Sequence, residues 1–499
     1  MSIKLKNNCM KILHVGWGFS PWLRGGMIEY AEDLMEAQAE NGHQVFYFFS
    51  GRQYPVFRKA KLIKRQRHKV VQYELINSPI VIYSENGSLN PELDLHEPLT
   101  QLFFREVIEE VNPDIIHIQE FSGIPTSLID IAKDEYGLPI VATLHDYSSL
   151  CPTIKLFDHL GNNCIEEKIG SKCVVCCQNA TSNKSSSIRS SLLFEFESLA
   201  KPVFNLTKFS YLFIRKLLMF ISLKFRRENT QIYSGSKNTY AIDKDHSLAK
   251  SFQNRRDINI NRLKRINLVI AQSRKVADIY TNFTKSNNVI TLHSVVKHIE
   301  LLTPKVVENV KFPINFATIN GCISAQKGAN LLLKAIKILS KKGLNEYFNF
   351  HIWGGLSKSI EHEISSFNNV FHHGPYNIAN LNLILEDIDV GIVPSTWEEV
   401  YGYVGIEFLA KGIPVVGNQR GGIVDYTIDN VTGWVNKSSS AEELAEIIVN
   451  IIDNPQIITQ ISRSISSSRS KLVKPFSQHF EEILNIYHAV QEQNLAKVS

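Results

Sequence analysis

Two carboxylates, Glu399 and Glu407, frame the aromatic and glycine-rich stretch EEVYGYVGIEFLAKG at 398–412. Gly402 and Gly405 disfavour a single helix through both carboxylates, because glycine is a poor residue for a helix interior. The stretch therefore predicts a loop that carries Glu399, a glycine-eased turn, and a helix that begins just before Glu407. On their own, such residues are also compatible with a solvated loop carboxylate and an ordinary helix glutamate.

The residue types in this stretch suit a ligand with hydroxyl groups at both ends. Carboxylates such as Glu399 and Glu407 accept paired hydrogen bonds from vicinal hydroxyls, like those of sugars and ribose. Between them, the amides of Tyr401, Gly402 and Tyr403 can approach a phosphate closely. The layout predicts a ligand with a diol at each end and a phosphate between them, as in a nucleotide sugar.

Two further segments have the form of phosphate-binding turns. Gly25 and Gly26 stand just before a predicted helix, where bare amides and the helix dipole favour an anion. Lys327 and Gly328 open another predicted helix after a strand, which places a cation where a diphosphate could bind. The competing interpretations are a flexible loop and an ordinary surface lysine.

Composition and motif details disfavour two other ligand classes. A net charge of +5 is small for 499 residues, and no DNA- or RNA-binding motif is present, so no nucleic-acid partner is expected. The turn GWGFSPWLRGG has Gly16 and Gly18, but Pro21 stands where a dinucleotide fingerprint needs its third glycine. No acidic residue closes the second strand, and a nicotinamide dinucleotide is therefore disfavoured.

The elements that must position these residues alternate as in parallel α/β sheets. In the first 150 residues, MKILHVGW, QVFYFFS, DIIHIQ and PIVATLHD predict strands with helices between them. A second series begins near 313 with INFATING, NFHIWGG, DVGIVPS and PVVGN. The fold class predicted is α/β, with two facing Rossmann-like domains and an interdomain cleft.

The predicted domains are an N-terminal unit over 1–300, a C-terminal donor-binding unit over 301–475, and a final helix over 476–499 that returns to the first unit. Within the first unit, the basic segment 52–69 is predicted to be a solvated loop. The N-terminal apolar run lacks the long core and cleavage site of a signal peptide, and a cytoplasmic location is expected.

The segment 151–177 carries five of the seven cysteines. In a reducing compartment these are thiols or metal ligands. The spacing of CVVC at 173–176 is that of a metal knuckle. One interpretation is a structural zinc held by four cysteines, and the other is a set of unbonded thiols; the four are Cys151, Cys164, Cys173 and Cys176.

The stretch from about 181 to 255 interrupts the alternation. Lys201, Lys208 and Arg215 recur every seven residues on an otherwise apolar predicted helix. Such a cationic stripe suits a helix that lies on an anionic membrane surface rather than one that spans it. Equally, the apolar face could pack on the sheet or on another subunit.

The stretch at 394–435, PSTWEEVYGYVGIEFLAKGIPVVGNQRGGIVDYTIDNVTGWV, resembles the signature of retaining glycosyltransferases of family 4, which have the GT-B fold. The shared features are two glutamates separated by seven residues, an aromatic-glycine pair, a small-residue helix, a G-x-P-V segment and a GG turn. The resemblance extends to Lys327-Gly328, to Gly354-Gly355, to Gly374 and to Gly25-Gly26.

The resemblance implies a transferase that moves a sugar from a nucleotide-sugar donor to a saccharide or lipid-linked saccharide, with retention, in surface polysaccharide or glycoconjugate synthesis. It implies an acceptor-binding first domain, a donor-binding second domain and no cofactor for catalysis. The cationic stripe of the 181–255 stretch adds the expectation of a peripheral position at the inner membrane face. Glu399 would hold the sugar, Glu407 the ribose and Lys327 the diphosphate, and His145 would lie near the reacting carbon. The implied catalytic residues are His145, Glu399 and Lys327, and the implied donor-binding residues are Gly25, Gly26, Lys327, Gly354, Glu399, Tyr401, Gly402, Tyr403 and Glu407.

One position departs from the family pattern. Many relatives carry an arginine five residues before the lysine, where this chain has Cys322. Loss of one charge-assisted contact costs about 1.5–3 kcal/mol. Two alternatives therefore stay open: a sugar-nucleotide epimerase or phosphorylase on the same fold, and a donor-binding assembly subunit whose catalysis has decayed.

Overall fold

Short apolar runs form strands and amphipathic segments form helices, largely in the predicted order. The computed structural model describes residues 9–55, 59–83, 86–88, 90–200, 240–321 and 324–498. Up to residue 291 the elements are β1 Lys11–Trp17, α1 Gly26–Glu40, β2 Gln44–Ser50, β3 Lys61–Arg67, β4 Val70–Ile76, α2 Pro98–Val111, β5 Ile115–Ile118, α3 Leu128–Asp130 with a π-helical turn Ile131–Glu135, β6 Ile140–Leu144, α4 Gly170–Cys176, α5 Ser182–Ala200, α6 Tyr240–Arg265, β7 Leu268–Ala271, α7 Arg274–Thr284 and β8 Val289–Thr291.

The second half of the chain continues the alternation. Its elements include three 3-10 turns, at Lys297–Leu301, Ala325–Lys327 and Ile378–Asn380. The others are β9 Ile314–Thr318, α8 Ala329–Lys341, β10 Phe348–Trp353, α9 Lys358–Ile364, β11 Val370–Gly374, α10 Leu381–Ile384, β12 Val390–Val393, α11 Tyr403–Lys411, β13 Val415–Asn418, α12 Ile423–Tyr426, β14 Gly433–Asn436, α13 Ala441–Asp453, α14 Gln456–Leu472 and α15 Phe476–Val498.

The chain divides into two units. The first takes the described parts of Met1–Ile270, Thr281–Ile290 and Ile483–Ser499, and the second takes those of Ala271–Tyr280 and Thr291–Glu482. The described strands form an eight-stranded sheet in the order β3-β4-β2-β1-β5-β6-β7-β8 and a six-stranded sheet in the order β11-β10-β9-β12-β13-β14. The strand pairs β1 with β2, β1 with β5, and β9 with β12 are parallel, as helical crossovers require.

The segment 52–69 is not the loop that its basic composition suggested. Residues Lys61–Arg67 form β3, which pairs antiparallel with β4. It is the outermost strand of its sheet, and lysine and arginine side chains on such an edge discourage pairing with another chain. The basic charge that indicated a loop therefore belongs to an edge strand.

A buried polar network joins the last helix to the sheet of the first unit. The hydroxyl of Tyr487 lies 2.5 Å from Nδ1 of His117 and accepts a bond of 3.2 Å from Nε2 of Gln38. The amide oxygen of Gln38 is 2.7 Å from Nε2 of His14. Burial lowers the pKa of His14 to about 4, so its ring is neutral near pH 7 and relies on these partners.

Three sequence features lie outside the described residues: the cationic stripe of Lys201, Lys208 and Arg215, the rest of 201–239, and Cys322. Within the described ranges, no helix combines the length and the apolar character needed to cross a bilayer.

We expect Tyr487→Phe to lower the free energy of unfolding of the first unit by about 1–3 kcal/mol, because it removes the buried hydrogen bonds that the hydroxyl makes with His117 and Gln38. Urea denaturation measures the change. Tyr347→Phe is the control, since Tyr347 is 43% exposed. Equal midpoints for the two variants would contradict the role given to the network.

Candidate active site

Lys327 is positioned by a turn at the carboxyl edge of the second sheet. It ends the 3-10 turn between β9 and α8, and Gly328 follows with φ of 85° as the cap of α8. A Cβ on Gly328 would lie 1.9 Å from the carbonyl oxygen of Pro394, just after β12. Only glycine combines this backbone conformation with so close an approach, and the turn is therefore held against the loop that follows β12.

Lys327 and Glu399 form an ion pair. Nζ of Lys327 donates to both carboxylate oxygens of Glu399, at 2.9 and 3.1 Å. Nε1 of Trp397 donates to the same carboxylate at 2.7 Å, and the Lys327 ammonium lies 5.4 Å from the centre of the Trp397 ring. Glu399 is only 8% exposed, so its charge depends on these two donors. The structure thus joins two residues, 72 positions apart, that the sequence assigned to one ligand.

The loop at 398–402 is fixed by the glycine pair after β13. The amide of Gly421 donates to the side chain of Glu398 at 2.6 Å, and the amide of Gly422 donates to the carbonyl of Glu399 at 2.7 Å. Gly402, with φ of 81°, then begins α11. The first amides of a helix have no partner within it, and here they lie at the end of the loop that carries Glu399.

Glu407 lies in the second turn of α11 and is buried. Its Oε1 is 2.8 Å from Nε2 of His298. Its Oε2 has no hydrogen-bond partner within the described part of the chain, and the same is true of the hydroxyl of Tyr426. Leaving a buried polar group unpaired costs free energy, and a hydroxyl-bearing ligand would supply the missing donor for Glu407.

Tyr401 is held by a second set of contacts around Asp425. Its ring stacks on His293 with centroids 5.1 Å apart, and Nε2 of His293 lies 3.0 Å from the Asp425 carboxylate. Arg274 donates to the same carboxylate through its amide at 2.9 Å and its Nε at 3.0 Å. Burial acts to raise the pKa of Asp425, but the bonds from His293 and Arg274 outweigh it and hold the pKa below its usual range.

Gly354 lies in the loop after β10, close to the backbone of the loop after β9. A Cβ on Gly354 would be 2.4 Å from Cα of Gly321. Its amide donates to the carbonyl of Gly374 at 2.8 Å. The loops after β9, β10 and β11 therefore contact one another at the same sheet edge as Lys327.

In the first unit, the start of α1 and the end of β6 come together. Gly25 and Gly26 lie at the N-terminus of α1, and the ring of Tyr30, one turn later, lies 4.9 Å from the ring of His145. Nε2 of His145 is 3.1 Å from the amide oxygen of Gln119, at the end of β5. The predicted glycine pair and the predicted histidine are thus joined through Tyr30.

A carboxyl pair beside His145 has no counterpart in the sequence predictions. Glu120 follows β5 and Asp146 follows His145. Ser148 donates its hydroxyl to Glu120 at 2.5 Å and its amide to Asp146 at 2.7 Å. Burial and the charge of Asp146 raise the pKa of Glu120 well above its usual range, and burial also raises that of Asp146. Burial of Glu120 and the nearby second carboxyl group therefore both disfavour the charged form of Glu120.

The cysteine-rich segment is held by an arginine rather than by an evident metal site. Arg256 of α6 donates to the carbonyls of Leu150, Cys164 and Glu166 at 3.1, 3.0 and 2.7 Å. Burial raises the pKa of the Cys164 thiol to about 12. The described residues include no group of three or more His, Cys, Asp or Glu side chains arranged to hold a metal ion. Zinc at Cys151, Cys164, Cys173 and Cys176 stays a prediction to which this geometry adds no support.

The sequence predictions missed the partners that fix the site. Trp397 stands two residues before Glu399 and could have been found as an indole donor next to a carboxylate. His293, His298 and Asp425 had no such signal, because lone histidines and aspartates occur throughout ordinary surfaces and cores. Only the packing of separate loops brings them to Tyr401 and Glu407.

We expect Gly328→Ala to reduce the free energy of unfolding of the second unit by about 1–3 kcal/mol more than Gly343→Ala, because overpacking adds to backbone strain. Both glycines have positive φ, 85° and 75°, but a Cβ on Gly343 would meet no atom within 4 Å. Chemical denaturation of the two variants makes the comparison. Equal losses would mean that the contact with Pro394 does not constrain the turn.

Comparisons with known proteins find similar proteins for both units. Residues 314–467 match the family model described as glycosyl transferases group 1, and residues 24–185 match the model described as glycosyltransferase family 4. Over 152 residues the chain is 30% identical to a D-inositol 3-phosphate glycosyltransferase of Arthrobacter sp. (strain FB24), a match that covers 29% of this chain and 35% of the relative. Over 185 residues it is 24% identical to the capsular polysaccharide biosynthesis glycosyltransferase CapM of Staphylococcus aureus, covering 36% and 47% of the two chains.

The chain spans less than half the length of these curated relatives. Its fold is similar to that of Anabaena Alr3699/HepE, solved in complex with UDP and glucose, with a TM-score of 0.55 and 15% identity over 96% of this chain and 99% of that one. The predicted α/β fold class with two Rossmann-like domains is confirmed. Family models on both units and the GT-B fold together show that this chain belongs to the family 4 glycosyltransferases.

Proposed function

We propose that this protein is a retaining glycosyltransferase that moves a sugar from a nucleotide-sugar donor to a saccharide or lipid-linked saccharide acceptor, in polysaccharide or glycoconjugate synthesis. The observation that carries the proposal is the partly buried ion pair of Lys327 and Glu399, at the carboxyl edge of the second sheet beside the start of α11. Ligands of parallel α/β sheets bind at this edge.

The second unit offers a group for each part of such a donor. The carboxylate of Glu399 suits sugar hydroxyls, and the unpaired Oε2 of Glu407 suits a ribose hydroxyl. Lys327 and the amides of Gly402 and Tyr403 suit the diphosphate between them. A complex of the similar Anabaena protein with UDP and glucose supports a donor of this class.

The catalytic role proposed for these groups follows from the position at which negative charge develops during the reaction. As the bond between the sugar carbon and the diphosphate oxygen breaks, negative charge grows on that oxygen. Lys327 and the first amides of α11 can stabilise this charge without reorganising, and preorganised donors of this kind supply a large part of the rate enhancement in enzymes. In this proposal no divalent cofactor is needed. The acceptor oxygen forms the new bond on the face that the diphosphate leaves, and the proton of the acceptor hydroxyl passes to the departing diphosphate oxygen.

His145 is proposed to contribute from the first unit. Its contacts with Gln119 and Tyr30 orient the ring, and Asp146, which pairs with the buried Glu120 through Ser148, is the next residue. A histidine held this way can position an acceptor hydroxyl or the transferred sugar. Contact of the 201–239 segment with an anionic membrane and a cytoplasmic location at the inner membrane face remain part of the proposal.

We expect Lys327→Ala and Glu399→Ala each to lower kcat for release of UDP from UDP-sugars by about 10²–10³-fold, in line with the loss of one preorganised donor or its anchor. A panel of nucleotide sugars, followed by chromatography of the released nucleotide, measures this. Lys334→Ala is the control, because Lys334 is an exposed lysine on α8, one helix turn or more beyond Lys327. Unchanged turnover in both site variants would reject the proposed site.

The same assay separates the alternatives. Turnover without any acceptor that yields an isomerised nucleotide sugar would indicate an epimerase, and turnover that requires inorganic phosphate would indicate a phosphorylase. Nucleotide binding by calorimetry with no turnover on any donor would indicate a decayed binding subunit.

We expect the glycoside formed from an α-linked donor to be α-linked as well. Proton NMR of the product during the first turnovers gives the coupling constant at the anomeric carbon. A β-linked product would contradict the retaining mechanism while leaving donor binding intact.

A further inference from the structure

A cavity of about 1020 Å³ opens in the first unit, away from every residue proposed for donor binding or transfer. It lies at the carboxyl ends of β2 and β4, which are parallel neighbours in the sheet. Its walls come from the loop after β2, the segment after β4 and the start of α5. This volume is at the upper end of the range of about 300–1,000 Å³ for ligand pockets, more than one monosaccharide needs.

The lining of the cavity suits a carbohydrate. It mixes neutral hydrogen-bonding side chains with aliphatic and aromatic ones. Amides and hydroxyls of this kind pair with sugar hydroxyls, and tyrosine rings and aliphatic groups pack on the apolar faces of sugar rings. Examples of the two types are Gln53, Asn77 and Thr181, and Tyr54 and Ile80.

The walls are tied together before any ligand binds. The backbone amide of Gln53 donates to the hydroxyl of Ser191 on α5 at 3.0 Å, and this bond ties the loop after β2 to that helix. The hydroxyl of Tyr54 donates to Glu195 of the same helix at 2.7 Å, and Glu195 also pairs with Arg52. The cavity is therefore preformed, which reduces the entropic cost of binding.

One polar group in the lining lacks a partner. Ser78 is 3% exposed, and its hydroxyl makes no hydrogen bond to any described residue. Gln53 uses the carbonyl of Ser78 as an acceptor but not its hydroxyl. A buried hydroxyl in this state is stabilised when a ligand supplies the missing bond.

The charge of the lining is positive. Lys59 and Lys184 lie on it, are exposed, and form no ion pair within the described ranges. The acidic residue of the lining, Asp94, is already neutralised by Nε of Arg255 at 2.7 Å, with both side chains buried. Two uncompensated ammonium groups favour a ligand that carries negative charge.

The position of the cavity sets the length of its ligand. In the strand order β4-β2-β1-β5-β6, β2 lies three strands away from β6, after which His145 follows. At about 4.8 Å per strand, the cavity wall beside β2 lies about 14 Å from the edge position of His145. A ligand that reaches both places must be elongated.

We propose that this cavity binds the distal part of an acceptor saccharide chain that carries uronate or phosphate groups, while the terminal sugar of the same chain lies near His145. The identification of this ligand as the acceptor rests on the proposed function. Binding to the cavity itself does not depend on transfer and is measured without a donor.

Calorimetry of the full chain with three oligosaccharide series tests the proposal: oligogalacturonates, phosphorylated oligomannosides and neutral malto-oligosaccharides, each of one to six residues. We expect affinity to increase with length and at least one acidic series to bind about tenfold more tightly than the neutral one. A tighter uronate series assigns the charge to carboxylates, and a tighter phosphorylated series assigns it to phosphate. Absence of binding in all three series would overturn the proposal, and equal binding of acidic and neutral chains would overturn its charge requirement.

Two variants block the cavity by different routes. Val81→Trp fills it from a half-buried position, and Thr181→Trp fills it from an exposed position just before α5. Each is expected to weaken binding of the longer chains at least tenfold, with an unchanged thermal unfolding midpoint. Lys59→Glu combined with Lys184→Glu is expected to abolish the preference for acidic chains, whereas the control Lys168→Glu, an exposed lysine outside the lining, keeps it. Wild-type affinity in both tryptophan variants would overturn the site.

The two failures can be told apart. If Lys327→Ala and Glu399→Ala retain full turnover, the proposed donor site fails, whatever the cavity binds. If those variants lose turnover but Val81→Trp and Thr181→Trp change neither oligosaccharide binding nor the KM for an acceptor chain, only the inference about the cavity fails.

Discussion

The ion pair between Lys327 and Glu399 is the interaction on which the site depends. Both groups lie in loops at the carboxyl edge of one sheet, and the carboxylate is almost completely buried. Removal of Lys327 would leave the buried carboxylate of Glu399 without its ion-pair partner and with Trp397 as a donor. The pair forms only if two turns, at Gly328 and at Gly421-Gly422, hold their loops in contact with the loop after β12. The glycines of the second unit therefore act by fixing distances between charged groups.

The same edge keeps part of its hydrogen-bonding capacity unused. Glu407 shares one oxygen with His298 and leaves the other without a described partner, while Asp425 is fully engaged by His293 and Arg274. These two carboxylates thus have different roles: Asp425 stabilises the position of the Tyr401 ring, and Glu407 keeps an acceptor for a ligand. A fully satisfied site would be more stable, because a buried carboxylate oxygen without a hydrogen-bond donor costs free energy.

The first unit organises its polar residues in a different way. Its sheet is crossed by a buried network of His14, His117, Gln38 and Tyr487, which fixes the last helix to the strands, and its carboxyl edge carries the Glu120–Asp146 pair next to His145. The cavity at β2 and β4 lies on the same edge but draws its walls from α5, which precedes the 201–239 segment. The network that fixes the last helix therefore lies across the strands, whereas the cavity and the carboxyl pair lie at the carboxyl edge of the same sheet.

By itself, the sequence determined the α/β class, most strands, and the helices after Gly25, Lys327 and Gly402 to within a few residues, and it predicted the residues that could bind a nucleotide sugar. These follow from local periodicity, glycine placement and side-chain chemistry, and the resemblance of 394–435 to a family signature strengthened them. It was wrong about 52–69, because a basic edge strand has the composition of a surface loop. Tertiary structure alone decided that Lys327 pairs with Glu399, that His298 and Asp425 belong to the site, and that a cavity opens beside α5. Such contacts join residues tens to hundreds of positions apart, and no local preference specifies which distant partner a buried charge will meet.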